Sequence, residues 1–320
     1  VRRRVIVFLV AMPELPEVET VVRGLRARVK GQRIVRVVVH QPRIVQGNRT
    51  TFRRVVSGAR IAQLARYGKY IIFHLESAAN GATSWCLVVH LGMTGQLYWC
   101  RPEKPYEKHT QIIFCLDTSA QVRFRDQRRF GRLELIPASR LTHYFAHLGP
   151  EALEIAFNAF ARLFTGRRAT IKSLLLDQHL LRGLGNIYSD EALFRARIHP
   201  ATPARTLDAE ALRRLYSAIR RVLRAAIAAG GTSFSDYVTA AGAPGRFRLR
   251  LRIYAREGKL CRRCGHGVQR MRLAGRSSYF CPRCQRLPRG QTGSVRRRHV
   301  RPAICPTMAC RPTPMTRRIG

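Results

Sequence analysis

Residues Lys172 to Phe194 read KSLLLDQHLLRGLGNIYSDEALF, and this stretch organises the second half of the chain. A leucine-rich run, a glycine-rich turn and a second apolar run describe a helix, a tight turn and another helix. Gly183 and Gly185 free backbone N–H groups, and the helix that follows opens with its positive end toward any phosphate. Asn186 adds an amide donor there. Plain helix packing with glycine as a cap explains the same residues equally well, so the turn alone leaves its role open.

Toward the C-terminus, Leu212, Leu215, Ile219, Val222 and Ala226 recur at helical spacing between Asp208 and Ala229. Asp208 is a capping residue and Gly230-Gly231 a stop signal. The glycine-rich run from about Gly231 to Phe247 predicts a mobile loop, and FRLRLRIYAR after it predicts a strand. Four of the nine cysteines then stand as Cys261-x2-Cys264 and Cys281-x2-Cys284, with sixteen residues between the pairs. That spacing describes one structural zinc ion held by four thiolates, with no open coordination position, rather than a secreted disulfide framework. Cys86, Cys100 and Cys115 read as small apolar residues of strands, whereas Cys305 and Cys310 show no pairing pattern.

Toward the N-terminus the texture is different. Val18, Val21, Val22, Leu25 and Val29 define an amphipathic helix from Pro16 to Val29, closed by Gly31. Pro16 suits a first turn, and Glu17 and Glu19 match its positive end. The runs RIVRVVVH, ARIAQL, YIIFHLE, WCLVVHLG, QLYWC, QIIFCLD, QVRFRD and RLELIP follow as short strands in series, the pattern of an antiparallel sandwich or barrel. It breaks at HLGPEAL, which reads as a connector. The expected class is α+β. A β-sandwich domain spans 12–145, a linker 146–155, a helical domain 156–255 and a zinc finger 256–285.

Lys and Arg number 59 against 18 Asp and Glu, a formal charge of +41, so the expected partner is a polyanion. Only six of these residues are lysines, at positions 30, 69, 104, 108, 172 and 259. No stretch is long enough to span a bilayer, which argues against an integral helical membrane protein. Residues 286–320 hold nine arginines, no acid and no hydrophobic periodicity, and are expected to be a disordered basic tail. Val1 to Ala11, VRRRVIVFLVA, faintly imitates a signal peptide, but Leu9 fits a cleavage site poorly. The expectation is a mis-assigned start, with Met12 as the true first residue.

Met12-Pro13-Glu14-Leu15-Pro16-Glu17, His90-Leu91-Gly92-Met93, Arg128-Arg129-Phe130-Gly131, the Gly-Leu-Gly-Asn turn and the four-cysteine finger come in this order from Met12 to about Gln285. Together they resemble bacterial formamidopyrimidine-DNA glycosylase, of the family shared with endonuclease VIII. The resemblance implies a helix-two-turn-helix module. It also implies a monomeric, cytoplasmic, nucleoid-associated enzyme that removes oxidised purines from double-stranded DNA and then cleaves the strand by β,δ-elimination.

The resemblance carries roles to particular residues. Pro13, once Met12 is removed, would be the nucleophile, because a free secondary amine titrating near neutrality can attack the sugar C1′ and form an iminium. Glu14 would protonate the sugar ring oxygen. Glu17 matches a further acidic position that supports the site, although matching a helix start explains it as well. Lys69 would donate a proton during β-elimination, and its retention in so lysine-poor a chain favours a specific role. Arg276 resembles the finger arginine that contacts phosphate and assists δ-elimination. Met93, Arg128 and Phe130 match a trio that fills the hole left by the everted nucleotide. His109, Arg167, Lys172 and Asn186 match positions expected to bind phosphates, and the loop from Gly231 to Phe247 resembles the element that closes over the extruded base.

The chain departs from the pattern in three places. Residues preceding Met12 would turn the Pro13 nitrogen into a tertiary amide without a usable lone pair, the basic tail exceeds the usual ending, and Gln127 stands where relatives often carry proline. Two other readings stay open at this point. Endonuclease VIII shares the architecture but prefers oxidised pyrimidines, and a noncatalytic zinc protein that binds nucleic acid would tolerate a blocked Pro13.

Overall fold

The computed structural model describes residues 12–76, 83–232 and 245–287. The extension, most of the basic tail and the greater part of the glycine-rich loop named above lie outside them. The first helix, α1 (Leu15–Val29), buries Val18, Val21, Val22, Leu25 and Val29, the face that the sequence periodicity picks out. Pro16 sits in its first turn, where a missing N–H costs nothing.

After α1 come β1 (Ile34–Val39), β2 (Val45–Gln46), α2 (Arg49–Val56), β3 (Arg60–Tyr67), β4 (Tyr70–Glu76) and β5 (Thr83–His90). Then follow β6 (Gly95–Cys100), β7 (Thr110–Leu116), β8 (Gln121–Asp126) and β9 (Arg132–Pro137). They form two sheets, one ordered β1-β7-β8-β6 and the other β2-β9-β5-β4-β3. Every pairing is antiparallel except the two-residue contact of β2 with β9. The expected sandwich is therefore present, and the buried face of α1 joins its core. Alternation along β4 sends Ile71, Phe73 and Leu75 into that core and Ile72 to the opposite face, where Phe145 covers it.

Beyond a short α3 (Leu141–Tyr144) the chain is helical, through α4 (Phe157–Arg162), α5 (Ile171–Leu176), α6 (Asn186–Ala196) and α7 (Ala209–Ala228). Asp208 caps α7 by accepting from the Ala211 N–H at 2.6 Å. The finger carries a hairpin of β10 (Gln269–Leu273) and β11 (Arg276–Phe280) and packs on the helical core. Gln285 ties its end to that core, donating to the Ile198 carbonyl at 2.8 Å. Among the described residues, no helix is long and apolar enough to cross a membrane.

The strand expected at FRLRLRIYAR is absent. Phe247–Arg250 is a single 3-10 turn, and the N–H groups of Arg252, Ile253 and Tyr254 converge on the buried Glu191 carboxylate at 2.8–3.1 Å. Alternating Leu and Arg imitates a strand, but a carboxylate that gathers three successive amides leaves them no ladder to join.

The connector around residues 146–155 is a fastened seam. Glu151, almost fully buried, accepts from Arg66 at 2.7 Å, from Arg182 at 3.0 Å and from the Gly68 N–H at 3.2 Å. Arg66 also meets Glu19 of α1 at 2.8 Å, and Arg182 lies over the Tyr67 ring at 3.8 Å. The carboxylate thus joins sandwich to helical domain. Glu151→Ala leaves two poorly solvated guanidinium groups without it and should destabilise the protein by about 3 kcal/mol, read from the urea unfolding midpoint.

Candidate active site

The N-terminal segment and the glycine turn are locked together. The Leu15 N–H donates to the Gly183 carbonyl at 3.0 Å, and Gly183 adopts φ +106°, with space for a Cβ denied by Leu15 Cδ1 at 2.6 Å. One residue earlier, the Glu14 carboxylate accepts from the N–H groups of Gly185 at 2.7 Å, Ile187 at 2.8 Å and Tyr188 at 3.4 Å. A Cβ on Gly185 would lie 2.5 Å from the Glu14 carboxyl carbon, so only glycine admits this acid. The group seated at the opening of α6 is therefore a carboxyl of the protein itself, where the turn alone left a phosphate and plain packing equally open. Pro13, buried, immediately precedes Glu14.

A second acid lies beside the first. Glu17 accepts from the Glu14 N–H at 2.9 Å, from the Thr232 N–H at 2.7 Å and from the Tyr188 hydroxyl. Burial and the neighbouring Glu14 charge push its carboxyl up to about 7, against the pull of its donors. Burial likewise raises Glu14, with Lys69 and the two closer amide donors opposing. Lys69 occupies the two-residue turn between β3 and β4. Desolvation lowers its ammonium to about 8, assisted by Arg276 and resisted by Glu14 and Glu17. Four expected site residues, Glu14, Glu17, Lys69 and Arg276, thus share one electrostatic neighbourhood beside Pro13. Arg276 opens β11 and is exposed, and its guanidinium makes no hydrogen bond or ion pair among the described residues.

Lys172 requires a correction. Instead of facing solvent and phosphate, its side chain is fully buried, with Nζ 2.8 Å from Asp190 Oδ1 and donating to the Asn186 carbonyl at 2.9 Å. An ammonium so enclosed is committed to internal partners. Asn186 is half-buried and donates from Nδ2 to the Ser277 carbonyl at 2.9 Å. Arg167 is exposed, its Nε donating to the Leu163 carbonyl at 2.8 Å. His109 is half-buried with φ +71°, and its carbonyl accepts from the Asp126 N–H at 3.0 Å.

Met93 and the pair Arg128 and Phe130 come from two turns held against each other. The Arg128 N–H donates to Thr94 Oγ1 at 3.0 Å, and Asp126 accepts from the Gly131 N–H at 2.7 Å. Gly92, at φ +64°, leaves no room for a Cβ against the Phe130 backbone, at 2.5 Å. On this platform Phe130 is 51 % exposed, with the Arg128 guanidinium 4.7 Å above its ring. An aromatic left this open, beside a cation, is suited to stacking on a base.

In the finger, the sulfurs of Cys261, Cys264, Cys281 and Cys284 all lie within 4.8 Å of one another, with 4.0 Å between Cys261 and Cys284 and 3.5 Å between Cys264 and Cys281. A tetrahedral thiolate site with bonds of about 2.3 Å has sulfurs about 3.8 Å apart, so the four residues fit a metal ion of that kind.

Three family models match in chain order. The formamidopyrimidine-DNA glycosylase N-terminal domain covers residues 12–133, the H2TH domain of the same enzyme 148–238, and a zinc finger found in FPG and IleRS 258–287. The chain belongs to the formamidopyrimidine-DNA glycosylase family. A formamidopyrimidine-DNA glycosylase from Heliobacterium modesticaldum is 45 % identical over 283 residues, covering 86 % of this chain and 100 % of the relative. A mutant of the Lactococcus lactis FPG protein, in complex with a Fapy-dG-containing DNA, superposes with a TM-score of 0.80 at 34 % identity, over 86 % of this chain and 100 % of that one. The wild-type L. lactis protein, in complex with an oxidised pyrimidine-containing DNA, gives 0.79 at 35 % identity over the same shares.

Within this DNA glycosylase architecture, sequence reasoning missed Tyr188, Thr232, Asp190 and Glu191. Each acts across the fold on a partner distant in the chain; burial of polar groups on α6 is the signal for Tyr188, Asp190 and Glu191, and Thr232 has none. Glu17 has a pH signature of its own. A carboxyl raised from 4.5 to about 7 in the folded state contributes stability that is fully present below 4.5 and is lost as pH rises through 7. Glu17→Gln should therefore flatten the fall in melting temperature between those pH values, measured by calorimetry.

Proposed function

We propose that the protein is a bifunctional glycosylase and lyase that excises oxidised purines, such as 8-oxoguanine and formamidopyrimidines, from duplex DNA. The observation that carries this reading is the Glu14 carboxyl, buried beside Pro13, held by three amides and flanked by Lys69. A carboxyl whose burial favours its neutral form is suited to donating a proton at the sugar ring oxygen as the ring opens.

With its nitrogen unacylated, Pro13 attacks C1′; the glycosidic bond breaks and the base departs with its electron pair. The Pro13 N–H proton is lost, the C1′–O4′ bond breaks as O4′ takes the Glu14 proton, and the resulting iminium acidifies the C2′ hydrogen. Loss of that proton expels the 3′ phosphate, and a second elimination expels the 5′ phosphate, leaving a one-nucleotide gap with phosphate ends. Lys69, at about 8, is still mostly protonated at neutral pH and gives up its proton readily, as a donor in these steps must. Arg276, whose exposed guanidinium makes no hydrogen bond or ion pair among the described residues, is the residue proposed to hold the phosphate being expelled.

Met93, Arg128 and Phe130 would occupy the hole in the duplex, with His109, Arg167 and Asn186 on the phosphates. The four cysteines would hold one structural Zn2+, which lends the finger its fold and takes no part in the chemistry. The L. lactis complex with an oxidised pyrimidine keeps a broader range of lesions in view, and competing both lesions in one assay ranks them.

Borohydride trapping on an 8-oxoguanine duplex tests the proposal. A chain whose N-terminus is Pro13 should form a covalent adduct that peptide mapping places at that residue, and metal analysis should find one zinc per chain. A chain retaining Met12 should bind the duplex without trapping; equal trapping by both forms excludes the Pro13 nitrogen as nucleophile.

A further inference from the structure

Arg276 is the first residue of β11, paired across the hairpin with Leu273, so whatever anchors β11 also places this residue. Two contacts do so. The Tyr279 N–H donates to Asp190 Oδ2 at 3.0 Å, and the Ser277 carbonyl accepts from Asn186 at 2.9 Å, both from the first turns of α6. Asp190 in turn holds Lys172 of α5 at 2.8 Å, and the Lys172 ammonium also takes the Asn186 carbonyl. Five residues from α5, α6 and β11 thereby close into one network, with both charged side chains fully buried.

An apolar pair of the same volume would serve stability at least as well, since burying two charges costs much of what their attraction returns. What an ion pair adds is direction. Asp190 has one oxygen for Lys172 and one for the hairpin, and the three donors of an ammonium meet two acceptors at angles that a planar guanidinium does not reproduce. In a chain with six lysines among 59 basic residues, lysine is retained here.

We propose that the Lys172–Asp190 pair is a positioning device that fixes the finger hairpin so that Arg276 stands over the Lys69 and Glu14 site. This rests on the role given to Arg276 above. The pair is not catalytic, because neither side chain reaches the surface. It acts through β11, and its loss should resemble the loss of Arg276 while sparing the steps that need only Pro13 and Glu14.

The test is a double-mutant cycle in the zinc-loaded enzyme whose chain begins at Pro13, on abasic-site duplex. Asp190→Asn should leave borohydride trapping within about twofold of wild type and lower the doubly eliminated product about tenfold, as Arg276→Ala should. The double variant should be no worse than Arg276→Ala alone. Additive losses, or full double elimination by Asp190→Asn, overturn the proposal. Should the unpaired lysine prevent folding, Lys172→Met with Asp190→Asn removes both charges and runs through the same cycle.

A second measurement separates this inference from the reading of Arg276. Hydrogen exchange at the Tyr279 amide should quicken at least about tenfold in Asp190→Asn, with the amides of α7 unchanged. If Arg276→Ala yields wild-type product ends, the role of Arg276 is wrong, and the exchange result still judges the positioning. Unchanged exchange at Tyr279 refutes it.

Discussion

The whole arrangement depends on one buried carboxylate meeting one helix end. Glu14 and the Gly185 N–H are 171 residues apart in sequence, and their contact at 2.7 Å brings the start of the sandwich domain to the opening of α6. The α6 amides satisfy carboxyl oxygens that burial would otherwise leave unpaired, and Gly185 makes the approach possible by having no side chain. Glu17, Tyr188 and Thr232 surround this contact, so the acid sits in a frame built from α1, α6 and the end of α7.

Charge is handled differently inside the protein and on its surface. Most arginines crowd the exterior of a chain carrying +41, where a polyanion is the natural complement. The interior keeps a few acids, each tied to backbone amides, to buried cations or to both. Glu151 fastens the seam between domains, Glu191 shapes the segment after Phe247, and Asp190 aligns the finger. In each case an acidic group organises backbone that would otherwise be irregular, which explains why α6 carries two fully enclosed acids in succession.

Much of the fold is legible in the sequence because its determinants are local. The apolar stripe of α1, the capped periodicity of α7, the β-branched runs of the sandwich and the paired cysteines all announce themselves within a few residues. Errors arose where a partner was distant. The alternation from Phe247 to Arg256 imitates a strand until Glu191 claims its amides, and Lys172 reads as a phosphate ligand until Asp190 encloses it. The open end of α6 fits a phosphate cradle and plain packing equally well in the sequence, because nothing near Gly185 foretells Glu14. The same limit hides Tyr188 and Thr232, whose importance lies in what they touch.

The seating of Glu14 on α6 is tested most directly by Gly185→Ala, followed by the single-turnover rate of imine trapping on damaged duplex. A methyl group there displaces the carboxyl by the better part of an ångström, and the rate should fall roughly 10²-fold with zinc content and DNA affinity retained. Trapping at the wild-type rate would mean that the acid does not work from this position, and the account would be wrong at its centre.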